Sequence, residues 1–99
     1  MLRHIAMFKW RPETTQEQKD AARDALAALQ GVVPSLRKMT VGHDIRRNTT
    51  TNWDMCLVAD FDDVEGLEAY FAHPTMNAAS DLVASVTQKE ITARVQFLL

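Results

Sequence analysis

Trp53-Asp54-Met55-Cys56-Leu57-Val58-Ala59-Asp60-Phe61, followed at once by Asp62-Asp63-Val64-Glu65, is the stretch that decides the fold. On an extended chain Trp53, Met55, Leu57, Ala59 and Phe61 fall on one face, and Cys56 and Val58 on the other. A strand that is apolar on both faces belongs inside a sheet that is covered twice. The acidic run behind it starts a helix, with Asp62 expected as N-cap and Glu65 at the capping-box offset.

Working towards the N-terminus, residues 46–52 are polar, hold three consecutive threonines and read as a loop. Residues 36–45 read as a strand with Met39, Val41 and Ile45 inward. Before it, Ala22, Ala25, Leu26 and Leu29 recur at helical spacing. Thr14 and Thr15 each have a capping-box partner three places on, in Glu17 and Gln18. Gly31 is the expected C′ residue, and Pro34 prevents continuation. Residues 3–10 alternate, with His4, Ala6, Phe8 and Trp10 against Arg3, Ile5, Met7 and Lys9, until Arg11-Pro12 ends the strand.

Working towards the C-terminus, Val64, Leu67 and Phe71 form a stripe with Tyr70 beside it. His73-Pro74 breaks the helix, because the residue before proline avoids the α region, and proline then suits a new first turn. Met76, Ala79, Val83 and Val86 carry that second helical piece. Residues 90–98 form a last strand in which Ile91, Ala93, Val95 and Phe97 alternate. The order is β-α-β-β-α-β. Right-handed crossovers fold it into an α+β, ferredoxin-like domain: one four-stranded antiparallel sheet with helices on one face. Residues 1–99 are expected to form a single domain. Ile5, Met7, Cys56 and Val58 then face away from the helices, and such a patch marks an interaction surface. Pairing two sheets through it, as a homodimer, is the economical solution.

Composition excludes several classes. A formal net charge of −2 gives no field for nucleic acid, and Arg46-Arg47 is the only adjacent basic pair in a polar loop. RNA-recognition domains share this layout but need a basic, aromatic third strand, which 53–58 lacks. A single cysteine, Cys56, rules out an internal disulfide and reads as a small buried hydrophobe. No secretory leader and no apolar run of about 20 residues is present, so no membrane partner is expected and a cytoplasmic setting is the default. Asn48-Thr49-Thr50 fits a glycosylation acceptor, but reads as a polar turn in that setting.

Arg3-His4-Ile5-Ala6-Met7-Phe8-Lys9, Val41-Gly42 and Ala69-Tyr70-Phe71-Ala72-His73-Pro74, in this order and spacing, resemble the stress-responsive A/B barrel (Dabb) family over nearly the whole chain. The resemblance implies a dimeric α+β barrel, with two four-stranded sheets facing each other and helices outside. It also implies a range of roles: stress-associated oligomers, cofactor-free polyketide cyclases working by aldol chemistry, and many members without an assigned activity. In the cyclase-like members a tyrosine precedes a His-Pro-x-His run whose second histidine is the base. Tyr70, His73 and Pro74 match that run, and His4 matches a first-strand histidine. Met76 stands where the basic histidine would be, and Met55 near a third-strand histidine; neither accepts a proton.

The candidate catalytic residues are therefore His4, Tyr70 and His73. Histidine titrates near neutral pH and is the usual general base, and Tyr70 can donate to a substrate carbonyl. Each also has a structural explanation: His4 as a buried histidine bonded to backbone or Tyr70, Tyr70 as core, and His73 as a helix-terminus residue. His43, at the end of the second strand, is expected to be exposed. Phe8, Met39, Trp53, Met55 and Met76 are the candidate ligand-binding residues, offering adaptable apolar lining or simply filling the core. His4, His43, His73 and Cys56 show no metal-ligand spacing, and no glycine-rich phosphate loop exists, so no metal and no cofactor is expected. Three functions fit: a homodimer binding a small hydrophobic molecule, a cofactor-free cyclase or lyase using His4 and Tyr70, and a structural stress protein forming higher oligomers.

Overall fold

The computed structural model describes residues 1–99. The elements are β1 (Leu2–Phe8), α1 (Gln16–Ala27), β2 (Leu36–His43), β3 (Met55–Phe61), α2 (Val64–Ala72), α3 (Pro74–Val86) and β4 (Ala93–Leu98), with a short 3-10 turn at Lys89–Ile91. The sheet has the order β2-β3-β1-β4, antiparallel throughout. This is the ferredoxin-like α+β arrangement, with the doubly apolar strands β1 and β3 in its interior. The helices cover one face. There His4, Ala6 and Phe8 of β1 and Met55, Leu57, Ala59 and Phe61 of β3 are buried against Ala22 and Leu26 of α1, Leu67 and Tyr70 of α2, and Ala79, Val83 and Val86 of α3.

The element ends differ from the sequence reading for local reasons. Thr15, not Thr14, closes the capping box of α1: its side chain accepts from Gln18 N at 3.2 Å and Gln18 Oε1 accepts from Thr15 N at 2.9 Å. The helix stops at Ala27, short of Gly31, because the chain then turns to bury Leu29 and Val33; Gly31 takes φ +90 inside that turn. β1 ends at Phe8, since the Trp10 backbone N–H is taken by Asp54 Oδ2 at 2.8 Å. β2 ends at His43. Ile45, expected inward, is 85% exposed beside Arg46, whose φ of 62 turns the chain away.

At α2 the N-cap is Asp63, which accepts from Gly66 N at 2.9 Å. Asp62 is instead engaged by the Arg37 guanidinium through both oxygens, at 3.1 and 2.6 Å. The buried pair on α2 is Leu67 and Tyr70, while Val64 and Phe71 of the expected stripe are exposed. The helix is therefore rotated so that tyrosine, not Phe71, faces the sheet.

The other sheet face carries no helix. Strand register places Ile5 opposite both Val58 and Val95, and Met7 opposite both Cys56 and Ala93. Residues opposite one another share a face, so an apolar band crosses β3, β1 and β4 and includes the exposed Val95 and Phe97. Cys56 belongs to this band and is half-buried rather than in the core; burial pushes its thiol pKa up. Arg3 and Asp60 close one end with a two-bonded ion pair at 2.8 and 3.0 Å. No helix is long and apolar enough to cross a membrane.

Candidate functional site

His4 reaches its position by strand alternation: it is on the covered face of β1, only 3% exposed. Gln96 stands opposite it on β4, and the Gln96 amide nitrogen lies 2.8 Å from His4 Nδ1. An amide nitrogen can only donate, so Nδ1 accepts and the neutral ring carries its proton on Nε2. Burial lowers the His4 pKa, and the charge of Arg94 lowers it further. The ring is therefore neutral near pH 7, with Nε2–H a free donor.

Tyr70 lies beside it, with ring centroids 6.5 Å apart. Its ring is wedged between Phe61 at 5.1 Å and Phe71 at 5.3 Å, and is fully buried. The Tyr70 hydroxyl has no hydrogen-bond partner. Burial pushes its pKa up to about 12, so it stays a protonated donor. Buried polar groups are nearly always satisfied, and this one is an exception, on a residue that lines a cavity.

That cavity, of ≈ 270 Å³, lies between α3 and the sheet. Its apolar wall includes Ala6, Phe8, Leu57, Phe71, Met76 and Val83. Its polar wall adds Asn77 and Ser80 of α3, Thr87, Lys89 of the 3-10 turn and Arg94 of β4. The cavity exists because β4 packs against β1 while α1 and α2 pack on β2 and β3, leaving the β4 side of the covered face open.

The domain model for the stress responsive A/B barrel domain matches residues 2–95. The chain belongs to this family. A dimeric ferredoxin-like protein of unknown function from Thermobifida fusca YX has a similar solved structure, with TM-score 0.88 and 34% identity over 99% of this chain and 90% of that one. A dimeric protein of unknown function and ferredoxin-like fold from Bacteroides fragilis NCTC 9343 follows at TM-score 0.84 and 26% identity, covering 99% and 95%. The hydroxynitrile lyase from Passiflora edulis superposes at TM-score 0.85, but at 16% identity over 99% and 92% it speaks for the fold alone. A search of curated proteins finds no match.

In this A/B barrel chain the candidate residues divide between three places. His4, Tyr70, Phe8 and Met76 line the one cavity. His73 does not: it is the N-cap of α3, where its Nδ1 accepts from Thr75 N at 3.1 Å. Met39 and Met55 are buried in the core at 8% and 1% exposure. Trp53 lies outside β3 on the helix-free side, under the Lys9 ammonium at 5.6 Å from its ring. It joins Met7, Cys56, Val58 and part of Met55 around a larger and more open concavity of ≈ 530 Å³.

His43, expected exposed, is half-buried: its Nε2 meets Asp20 Oδ1 at 3.1 Å and its ring is edge-on to Trp10, because α1 covers this end of β2. No His, Cys, Asp and Glu side chains gather in threes that would hold a metal ion. Sequence reasoning missed Gln96, Arg94, Lys89, Asn77 and Ser80. A signal was present: Arg94 and Gln96 alternate with Val95 and Phe97, so they share the opposite face of β4.

Proposed function

We propose that the chain works as a homodimer and holds, in the cavity between α3 and the sheet, a small molecule with an apolar body and a carbonyl-type oxygen. The observation that carries this reading is the Tyr70 hydroxyl, a buried donor without a partner on an apolar wall. Leaving such a group unsatisfied costs on the order of 1–3 kcal/mol, and a ligand oxygen would remove that cost. His4 Nε2–H is a second donor on the same wall. The homodimer is supported by the apolar band across β3, β1 and β4 and by the dimeric relative from Thermobifida fusca YX.

A cofactor-independent cyclase or lyase is a second reading of the same two groups. Tyr70 would donate to a substrate carbonyl, acidifying the neighbouring C–H. His4 Nε2 would accept that proton once the Gln96 amide turns to present its oxygen to Nδ1–H. The lowered His4 pKa favours this reading, since the ring is unprotonated near neutral pH. A higher stress assembly has no specific feature in its favour.

The test is a titration with 4-butylbenzamide, a neutral carbonyl compound of fitting size, followed by calorimetry and NMR. Saturable binding is expected, weakened by Tyr70→Phe and abolished by Ala84→Phe, which fills the cavity from α3. Binding that survives Ala84→Phe unchanged places the ligand elsewhere and removes the reading.

A further inference from the structure

Charge around the cavity mouth has one sign. Lys89 and Arg94 line it, and no aspartate or glutamate does, although the chain holds 13 acidic and 11 basic residues. Neither cation is neutralised within the chain: the ion pairs engage Arg3, Arg23, Arg37 and Arg46. Four of the seven arginines find a carboxylate; Arg94, which lines the cavity, does not.

Register fixes where Arg94 stands. It lies opposite Ala6, two residues from Gln96, which lies opposite His4. Arg94 is thus on the covered face of the sheet, along the edge that no helix closes. Its charge already reaches the cavity, since it contributes to the lowered His4 pKa. Three features meet at this spot: an unpartnered buried hydroxyl, a neutral imidazole offering N–H, and an unpaired guanidinium. All three favour an oxygen acceptor bearing negative charge.

We infer that the ligand of this cavity is an amphipathic carboxylate, its head taken by Arg94 with Lys89 alongside and its apolar part packed on Phe8, Leu57 and Val83. The inference rests on the cavity reading above and names the class of molecule it takes. Size sets a bound, because an apolar cavity of about 150 Å³ accepts benzene. At ≈ 270 Å³ this one takes a single ring with a short chain, or an aliphatic acid of similar bulk.

Two probes of one shape separate charge from fit: 4-butylbenzoate and 4-butylbenzamide. Both carry the ring, the chain and a carbonyl oxygen, and only the first is an anion. Titrations use the full chain, its Arg94→Gln and Lys89→Gln variants and the double variant, all at exposed positions. The benzoate is expected to bind about tenfold tighter than the amide, a difference of about 1.4 kcal/mol. That preference is expected to disappear in the double variant, through loss of benzoate affinity. Equal binding of both probes by the unsubstituted chain overturns the carboxylate inference and leaves the cavity reading standing. A preference that persists in the double variant also overturns it. Failure of both probes to bind removes the cavity reading, and this inference with it.

Discussion

Tyr70→Phe should stabilise the protein while weakening its ligand, and the two effects can be estimated separately. The substitution deletes one oxygen and leaves the ring in place against Phe61, Phe71 and His4. In the folded chain the deleted hydroxyl is buried and without a partner; in the unfolded chain water satisfies it. Removing it therefore abolishes a desolvation cost without breaking a bond. We expect a gain of about 1 kcal/mol. For a domain of this size that raises Tm by roughly 4–8 °C. The assay is thermal and urea unfolding at one fixed protein concentration, since dimerisation makes Tm concentration-dependent. In parallel, the lost hydrogen bond should cost the ligand about three- to tenfold in affinity. A Tm that falls by several degrees would refute the reasoning, because it would mean that the hydroxyl is bonded in the free protein.

Four further outcomes follow from named contacts. Val58→Glu places a charge in the apolar band and should convert the dimer to monomer in sedimentation or native mass measurements; an unchanged dimer would move the interface to another surface. His73→Ala should cost about 1 kcal/mol as a lost N-cap, with His73→Asn restoring most of it in urea melts. A loss of ligand binding in His73→Asn would instead give His73 a role at the cavity. Because the folded His4 resists a proton that the unfolded ring accepts near its ordinary value, stability should fall as pH drops from about 6.5. His4→Gln should flatten that slope. A second loss is expected below about pH 4, where protonation overtakes Asp60, whose pKa the Arg3 hydrogen bond holds low, and Asp62, held low by Arg37; Asp60→Asn reduces it.

Element order, strand faces and helix starts were legible in the sequence because they depend on neighbours within a few positions. The alternation of His4, Ala6 and Phe8, the doubly apolar β3, the Thr15–Gln18 box and the proline after His73 each state their conformation locally. Helix rotation and element ends were less legible. Tyr70 and Phe71 are both large and aromatic, and only packing against Phe61 decides that tyrosine turns inward. Asp62 and Asp63 are equal as caps until Arg37, 25 residues earlier, takes Asp62. Trp53 continues the β3 alternation on paper, yet the ladder begins at Met55 and the ring crosses to the other side.

The sequence by itself determined the α+β layout, the family resemblance and the placing of His4 on the face that the helices cover, with Tyr70 on the second helix. Only the tertiary structure decided that these two share a cavity, that Gln96 sets the proton on His4, and that Arg94 stands at the mouth without a partner. The physical reason is sequence separation. Gln96 lies 92 residues from His4 and meets it only through the register of an edge strand, and whether a hydroxyl is left unpaired is settled by everything packed around it.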